Sequence, residues 1–280
     1  MLRKPAKLFV GTAGIPHSTP RKSTPDGVRR VAELGLDAME IEFVRGVRMK
    51  ADLASKTREA AIDSGVVLTV HAPYFINLLS EDPAKVSASI KRIIDSARIG
   101  YLAGAWSVVF HAGYYGKHDK QAATKVVRNH LKKIISTLND QGIKIWVRPE
   151  TMGALAEFGS LEEVISVVEG LDYALPCVDF AHIYARSIGK INDYDGFRKI
   201  LEVIEEKLGK DALSNMHIHI SGMEYGPRGE KKHLNLQESN INWIDILKVI
   251  KEFNVKGVLI CESPNLEEDA VLIKKTLKSL

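Results

Sequence analysis

Cysteine is scarce: the 280 residues contain two, Cys177 and Cys261, and no CxxC pair. Both fall in apolar, strand-like runs, so a disulfide framework is not expected, a cysteine-built zinc site is not implied, and a reducing compartment fits. No stretch of about 18 apolar residues occurs, so no membrane-spanning helix is expected. Residues 1–5 carry neither an apolar signal core nor a small-residue cleavage site, and a cytoplasmic location is expected. No GxGxxG follows the first apolar run, where Gly11 and Gly14 mark only a turn, so a dinucleotide fold has no support. Charge of one sign is not in excess either. Thirty-nine Lys and Arg against 35 Asp and Glu leave a formal charge of +4, which permits an anionic partner without demanding one. With no low-complexity segment and no long linker, a single domain over 1–280 is expected.

What is present is a repeated pattern of short apolar run, loop and amphipathic stretch. The runs lie at 8–10, 38–41, 66–70, 107–110, 143–147, 175–180, 216–220 and 258–261. Helical periodicity covers 26–34, 53–64, 83–102, 121–138, 161–168, 194–208, 241–253 and 267–280. Strict strand–helix alternation implies a parallel sheet, and eight units of it predict an α/β fold, a closed (β/α)8 TIM barrel, over an open doubly wound sheet.

In such a barrel the C-terminal ends of the strands converge on one mouth. His71 follows the third run and His111 the fourth. Glu150 follows the fifth, Asp179 sits in the sixth with His182 three residues on, His219 is near the end of the seventh with His233 beyond it, and Glu262 ends the eighth. Any one histidine at a strand end reads most simply as a hydrogen-bonded loop or core residue. Eight imidazoles and carboxylates at six successive strand ends are different, because burying them together without a cation is costly. Nitrogen and oxygen donors of this kind suit Zn2+ or Mn2+. His217 shares a strand face with His219 and is expected either to support it from below or to be a polar core residue.

These residues also carry a family resemblance. His71, Tyr74, Ile76, Asn77 and Leu78 resemble the H-x-x-Y-x-I-N-L segment of the endonuclease IV family, and His111 with Gly113 its H-x-G segment. Glu150, Gly153, Phe158 and Gly159 are similar to its glutamate- and glycine-bearing stretch. Cys177, Asp179, His182 and Ala185 match C-x-D-x-x-H-x-x-A, and Glu262 with Pro264 resembles its E-T-P ending. The resemblance implies a xylose isomerase-like TIM barrel with a multi-zinc centre, acting as a monomer on damaged double-stranded DNA. Such an enzyme cuts 5′ to an abasic nucleotide in base excision repair and leaves a 3′ hydroxyl. By position, His71, His111 and Glu150 would hold one ion. Glu150 would bridge to a second, held also by Asp179, His219 and Glu262, and His182 with His233 would serve a third. Glu150 would thus be the central catalytic ligand. Tyr74 would approach the lesion. Arg45, Arg48 and Lys50 after the second run, with Lys117, Lys120, Arg228, Lys231 and Lys232 on other mouth-side loops, would face phosphates.

One position departs from the family. An aspartate is expected two residues before the last histidine, and Lys231 stands there. A protonated lysine cannot ligate and repels a cation. The expectation is therefore a dinuclear centre. A third ion held through Glu230, or the Lys231 ammonium in its role, are the alternatives. Arg148 shares a face with Glu150 and is read either as a carboxylate's partner or as a contact to substrate phosphate. Two rival functions stay open: a metal-dependent sugar isomerase or epimerase of the xylose isomerase-like class, and a barrel that binds damaged DNA without cutting it.

Overall fold

The computed structural model describes residues 5–280; residues 1–4, which open the segment read above for a leader, lie outside the described residues. The chain runs β1 (Leu8–Ala13), α1 (Thr24–Glu33), β2 (Ala38–Glu42), α2 (Ala51–Ser64), β3 (Val67–His71), α3 (Pro83–Leu102), β4 (Ser107–Phe110) and α4 (Lys120–Asp140). It continues with β5 (Trp146–Pro149), α5 (Leu161–Val168), β6 (Cys177–Asp179), α6 (Phe180–Arg186), α7 (Tyr194–Leu208), α8 (Lys210–Leu213) and β7 (Met216–Ile220). A hairpin, β8 (Gly222–Gly226) and β9 (Gly229–Leu234), precedes α9 (Trp243–Glu252), β10 (Gly257–Cys261) and α10 (Glu267–Ser279). No helix among the described residues is long and apolar enough to cross a membrane.

Eight strands form one parallel sheet in the order β5-β4-β3-β2-β1-β10-β7-β6. Parallel bridges from Val147 to Ala174 and from Glu150 to Cys177 join β5 to the β6 segment and close the ring. The fold is the closed (β/α)8 TIM barrel that the alternation predicts. Helices begin where side chains can take up their free N–H groups. Asp82 caps α3, Asp119 caps α4, and Ser160 with Glu163 forms a capping box on α5. Short α6 is capped by Asp179 itself, whose carboxylate accepts from His182 N at 2.8 Å. The main apolar core lies between sheet and helices, whereas the barrel interior holds only a small apolar set, Ala38, Val258 and Ile260 with Phe9, Ala13, Val67 and Trp106 around them.

The rest of the interior is polar. The fifth strand starts later than its apolar run, because Gly142 (φ 70°) ends α4 and Ile143 N donates back to Leu138 O. Arg148 then points inward two residues below Glu150, about 7 Å deeper along the strand. It is fully buried. Its guanidinium donates to Pro176 O, Asn215 O and Asn215 Oδ1 at 2.9–3.1 Å and lies over Trp106 and Trp146. Both readings of Arg148 are corrected: among the described residues it pairs with no carboxylate, and it is buried beneath the strand ends rather than open to the mouth. Burial pushes it down to about 9.

Candidate metal centre

The mouth assembles around Glu150. Its Oε2 lies 3.2 Å from His71 Nε2 and 3.2 Å from His111 Nε2, and its Oε1 lies 3.0 Å from His219 Nδ1 and 3.3 Å from His182 Nδ1. One buried carboxylate thus meets imidazoles from four strand ends. Burial alone would raise its pKa, but His219 and His111 foremost outweigh that and hold it well below the ordinary value. Glu262 Oε1 lies 3.4 Å from His219 Nδ1. Here burial prevails against the pull of His219, and the carboxyl is pushed up to about 8.

Three groups of donor atoms, each mutually within 4.8 Å, occupy this mouth: His71, His111 and Glu150; Glu150, Asp179, His219 and Glu262; and His182, Glu230 and His233. The first two share Glu150. Several rings are already oriented through the nitrogen that faces away from the cluster. His71 Nδ1 is 2.8 Å from Ala72 O and His233 Nδ1 is 3.0 Å from Ser221 Oγ, so each presents Nε2 to the carboxylates, whereas His182 Nδ1, 2.9 Å from Thr151 O, also lies 3.3 Å from Glu150 Oε1 and 3.4 Å from Asp179 Oδ2. Asp179 Oδ2 is buried yet accepts no hydrogen bond, as does Glu42 Oε1. Orphaned carboxylate oxygens beside imidazoles are what divalent cations satisfy, and the donor set fits Zn2+ or Mn2+.

All eight expected ligands come together. Tyr74 stands at the rim, half-exposed, its ring stacked 5.6 Å from that of His111. Arg45 and Arg48 lie exposed on the β2–α2 loop beside a cavity of about 390 Å³ that Glu42 also lines. Lys232 and Lys231 both pair with Glu224 on the hairpin.

The expectation drawn from Lys231 needs correction. Tyr225 pairs with Glu230 while Glu224 pairs with Lys232, so Lys231 is the extra residue of a β-bulge. In a regular strand Lys231 and His233 would share a face. The bulge instead puts Glu230 there, 3.3 Å from His182 Nε2 and 3.7 Å from His233 Nε2, with Lys231 turned to solvent. Gly153 keeps the space open, since a Cβ there would meet Glu230 Oε2 at 2.6 Å. A carboxylate therefore stands in the third group, the arrangement expected of the alternative in which a third ion is held through Glu230. His182 and His233 hold the Glu230 carboxyl at about 2 against the effect of burial.

Sequence reading passed over Glu40, Glu42 and Glu157. Glu42 and Glu157 line the mouth, a cavity of about 560 Å³ that also includes Tyr114, Glu230 and Glu262. Burial pushes Glu42 up to about 7. The signal for Glu40 and Glu42 was the alternation Met39, Glu40, Ile41, Glu42, which puts two carboxylates on one face of β2. A fourth donor group, Cys177, His217 and His219, lies lower in the barrel.

The protonation pattern leads to a test. Although burial opposes it, His71 is raised to about 10 by Glu150 and Glu42, against an ordinary 6.5. Stability from that group is fully present below pH 6.5 and is lost as pH rises through 10. Glu262, raised from 4.5 to about 8, likewise contributes stability below 4.5 that is gone above 8. Chelated protein is expected to lose thermal stability from about pH 6.5 to 10, while divalent ions displace these protons and reverse the trend. Melting curves with chelator and with Zn2+ across that range check this, as does calorimetry in buffers of different ionisation enthalpy. Equal pH dependence in the two states would defeat it.

A family model described as xylose isomerase-like TIM barrel matches residues 28–280. An uncharacterized protein of Methanocaldococcus jannaschii is 45% identical over 273 residues, 98% of each chain. A probable endonuclease 4 of Mycoplasma pneumoniae is 28% identical over 224 residues, 78% of this chain and 75% of that one. Among solved structures, endonuclease IV of Thermus thermophilus aligns with a TM-score of 0.70 and 18% identity, covering 96% of this chain and 97% of the other. A D-tagatose 3-epimerase-like protein aligns with a TM-score of 0.71 and 22% identity, covering 92% and 93%. At these identities the structural likenesses speak for the fold alone.

Proposed function

The chain belongs to the xylose isomerase-like TIM barrel family, and from that premise we propose that it is a metal-dependent phosphodiesterase that cuts damaged duplex DNA 5′ to an abasic nucleotide. The observation that carries this reading is the set of three donor groups in one mouth, two of them joined by Glu150. A single divalent ion would be satisfied by the four-residue group alone. The additional two groups suit a phosphodiester, whose attacking oxygen, leaving oxygen and bridging charge all need stabilisation. Bound divalent ions supply a nucleophile near neutral pH and neutralise developing charge on phosphate oxygens. Zn2+ is the ion we assign, with Mn2+ as the alternative. The named endonuclease 4 relative supports the same substrate class.

The chain's own residues then divide the work. Glu150 ties the first group to the second and sets their spacing. Tyr74, at the rim over His111, offers a flat apolar face to a splayed sugar or base. Arg45 and Arg48, exposed and in no ion pair among the described residues, reach phosphates beside the mouth. Arg45→Ala with Arg48→Ala is expected to weaken DNA binding for every sequence and to reduce the slope of log K against log salt by roughly 0.9 per lost contact. Binding titrations from low to moderate salt read that slope, and an unchanged slope removes both residues from the interface.

An end-labelled duplex with one abasic analogue tests the function. Metal-replete protein should cleave 5′ to the lesion, and chelated protein should not. A second reading, sugar epimerisation, is favoured by the buried unpaired oxygen of Glu42 in the mouth, which would accept from a sugar hydroxyl and repel a phosphate. Turnover of a ketose by metal-replete protein that leaves abasic DNA intact would establish that reading instead.

A further inference from the structure

Three rings of the donor groups, His71, His233 and His219, each have one nitrogen facing the cluster and the other facing a partner, while both nitrogens of His182 lie near its carboxylates. For His71 and His233 that partner is a neutral carbonyl or hydroxyl oxygen. His219 differs. Its Nδ1 faces Glu150 and Glu262, and its Nε2 lies 2.9 Å from Glu40 Oε1, a carboxylate on the opposite side of the barrel interior. Both side chains are fully buried. We infer that Glu40 is a positioning residue for metal binding: it accepts a hydrogen bond from His219 Nε2–H, fixes that tautomer, and strengthens Nδ1, the one nitrogen donor of the four-residue group, as a ligand. This inference rests on the metal-centre reading above.

The surroundings of Glu40 are built for that task. Thr69 Oγ1 donates to Glu40 Oε2 at 2.7 Å, and His217 Nε2 lies 3.1 Å from the same oxygen. His217 is fixed in turn by Ser107 Oγ, 2.8 Å from its Nδ1, and by stacking on Trp106. Oε2 is thereby occupied, which leaves Oε1 for His219. At 2.9 Å the two atoms are close but not aligned as a hydrogen bond, and among the described residues neither Oε1 nor His219 Nε2 has a hydrogen-bond partner. A small rotation of the imidazole as Nδ1 takes up an ion would bring the two into line. The sequence thus places a carboxylate in the middle of a barrel strand, where an apolar side chain would pack without desolvation cost. His217 lies below His219, its ring 5.1 Å from that of His219 and its Nε2 beside Glu40, so in this inference it acts on the ligand through Glu40.

A carboxylate behind a ligating imidazole typically changes metal affinity by about 10–100-fold. The test is chelator competition for each bound ion, together with the visible spectrum of Co2+-substituted protein. Glu40→Gln should weaken one ion by about that factor, leave the others unchanged, and shift the cobalt bands. Glu40→Asp should restore part of the loss. Should Glu40→Gln fail to fold, Thr69→Val keeps the carboxylate but loosens it, and a few-fold weakening of the same ion is expected. Wild-type affinity and spectrum in Glu40→Gln, or in Thr69→Val where only that variant folds, overturn the inference while leaving the metal centre standing. Loss of a tightly held ion in Cys177→Ser overturns it too, because His219 Nε2 would then be a ligand of the lower group rather than a proton donor. Wild-type protein that binds no divalent ion removes the metal centre and this inference together.

Discussion

Glu150→Gln is expected to lower abasic-site incision by about 10³-fold or more, equivalent to roughly 4 kcal/mol of transition-state stabilisation, with loss of at least one bound ion. The magnitude follows from position. The two carboxylate oxygens of Glu150 stand 3.0–3.3 Å from four imidazoles on four different elements, and the residue belongs to two of the three donor groups. Glutamine keeps the volume but offers one neutral acceptor and an NH2 with two donors, which would point at a ring nitrogen or an ion. Two groups are therefore damaged by a single atom exchange. Metal analysis and the incision assay run on the same preparation separate the causes. Full metal content with full activity would remove Glu150 from the centre. Full metal content with lost activity would make it a participant in chemistry rather than a bridge. Folding is a lesser concern, since Glu150 lies at a strand end, and the melting temperature of chelated variant against chelated wild type reports it.

The barrel was legible because its evidence is repeated. Each of eight apolar runs is followed by a helical period, and small errors at one boundary, as at Ile143, do not disturb the count. The ligands were legible because His71, His111, Glu150 and Glu262 directly follow or close apolar runs, so that the strand direction alone delivers them to one mouth. Glu40 and Arg148 were harder. Inside a closed barrel the usual alternation is inverted: the apolar members, such as Met39 and Val147, face the helices, and the polar members face the axis. Nothing in a single strand says which set lies inward, and a buried arginine two residues from a glutamate invites a pairing that the barrel's depth prevents. Glu42 was hidden for the same reason, although its position matches the end of β2 as closely as His71 matches that of β3.

The bulge at Lys231 had no local signal at all, and it decides the third donor group. Glu230→Ala is expected to lose one ion and to slow incision by about 10²-fold, roughly 3 kcal/mol, because His182 and His233 then face a cation without a carboxylate. Two further variants separate the bulge from composition. Lys231→Asp restores an aspartate at the spacing the endonuclease IV pattern has, yet it should not rescue Glu230→Ala, since the bulge turns position 231 toward Glu224 and solvent. Deleting Lys231 should be tolerated. It removes the extra residue, makes the strand regular, and leaves Glu230 two positions before the histidine, on the same face as before. Retention of three ions by the deletion variant, with loss of one in Glu230→Ala, would show that the inserted lysine and the compensating bulge cancel. Rescue by Lys231→Asp would instead mean that β9 re-registers, with the side chain at 231 turning inward. The outcome turns on register because a shift of one residue exchanges the two faces of a strand. The hairpin's docking resists such a shift: Glu230 N donates to Gly153 O at 3.2 Å and Leu155 N to Arg228 O at 3.0 Å, which ties the turn to the loop after Glu150.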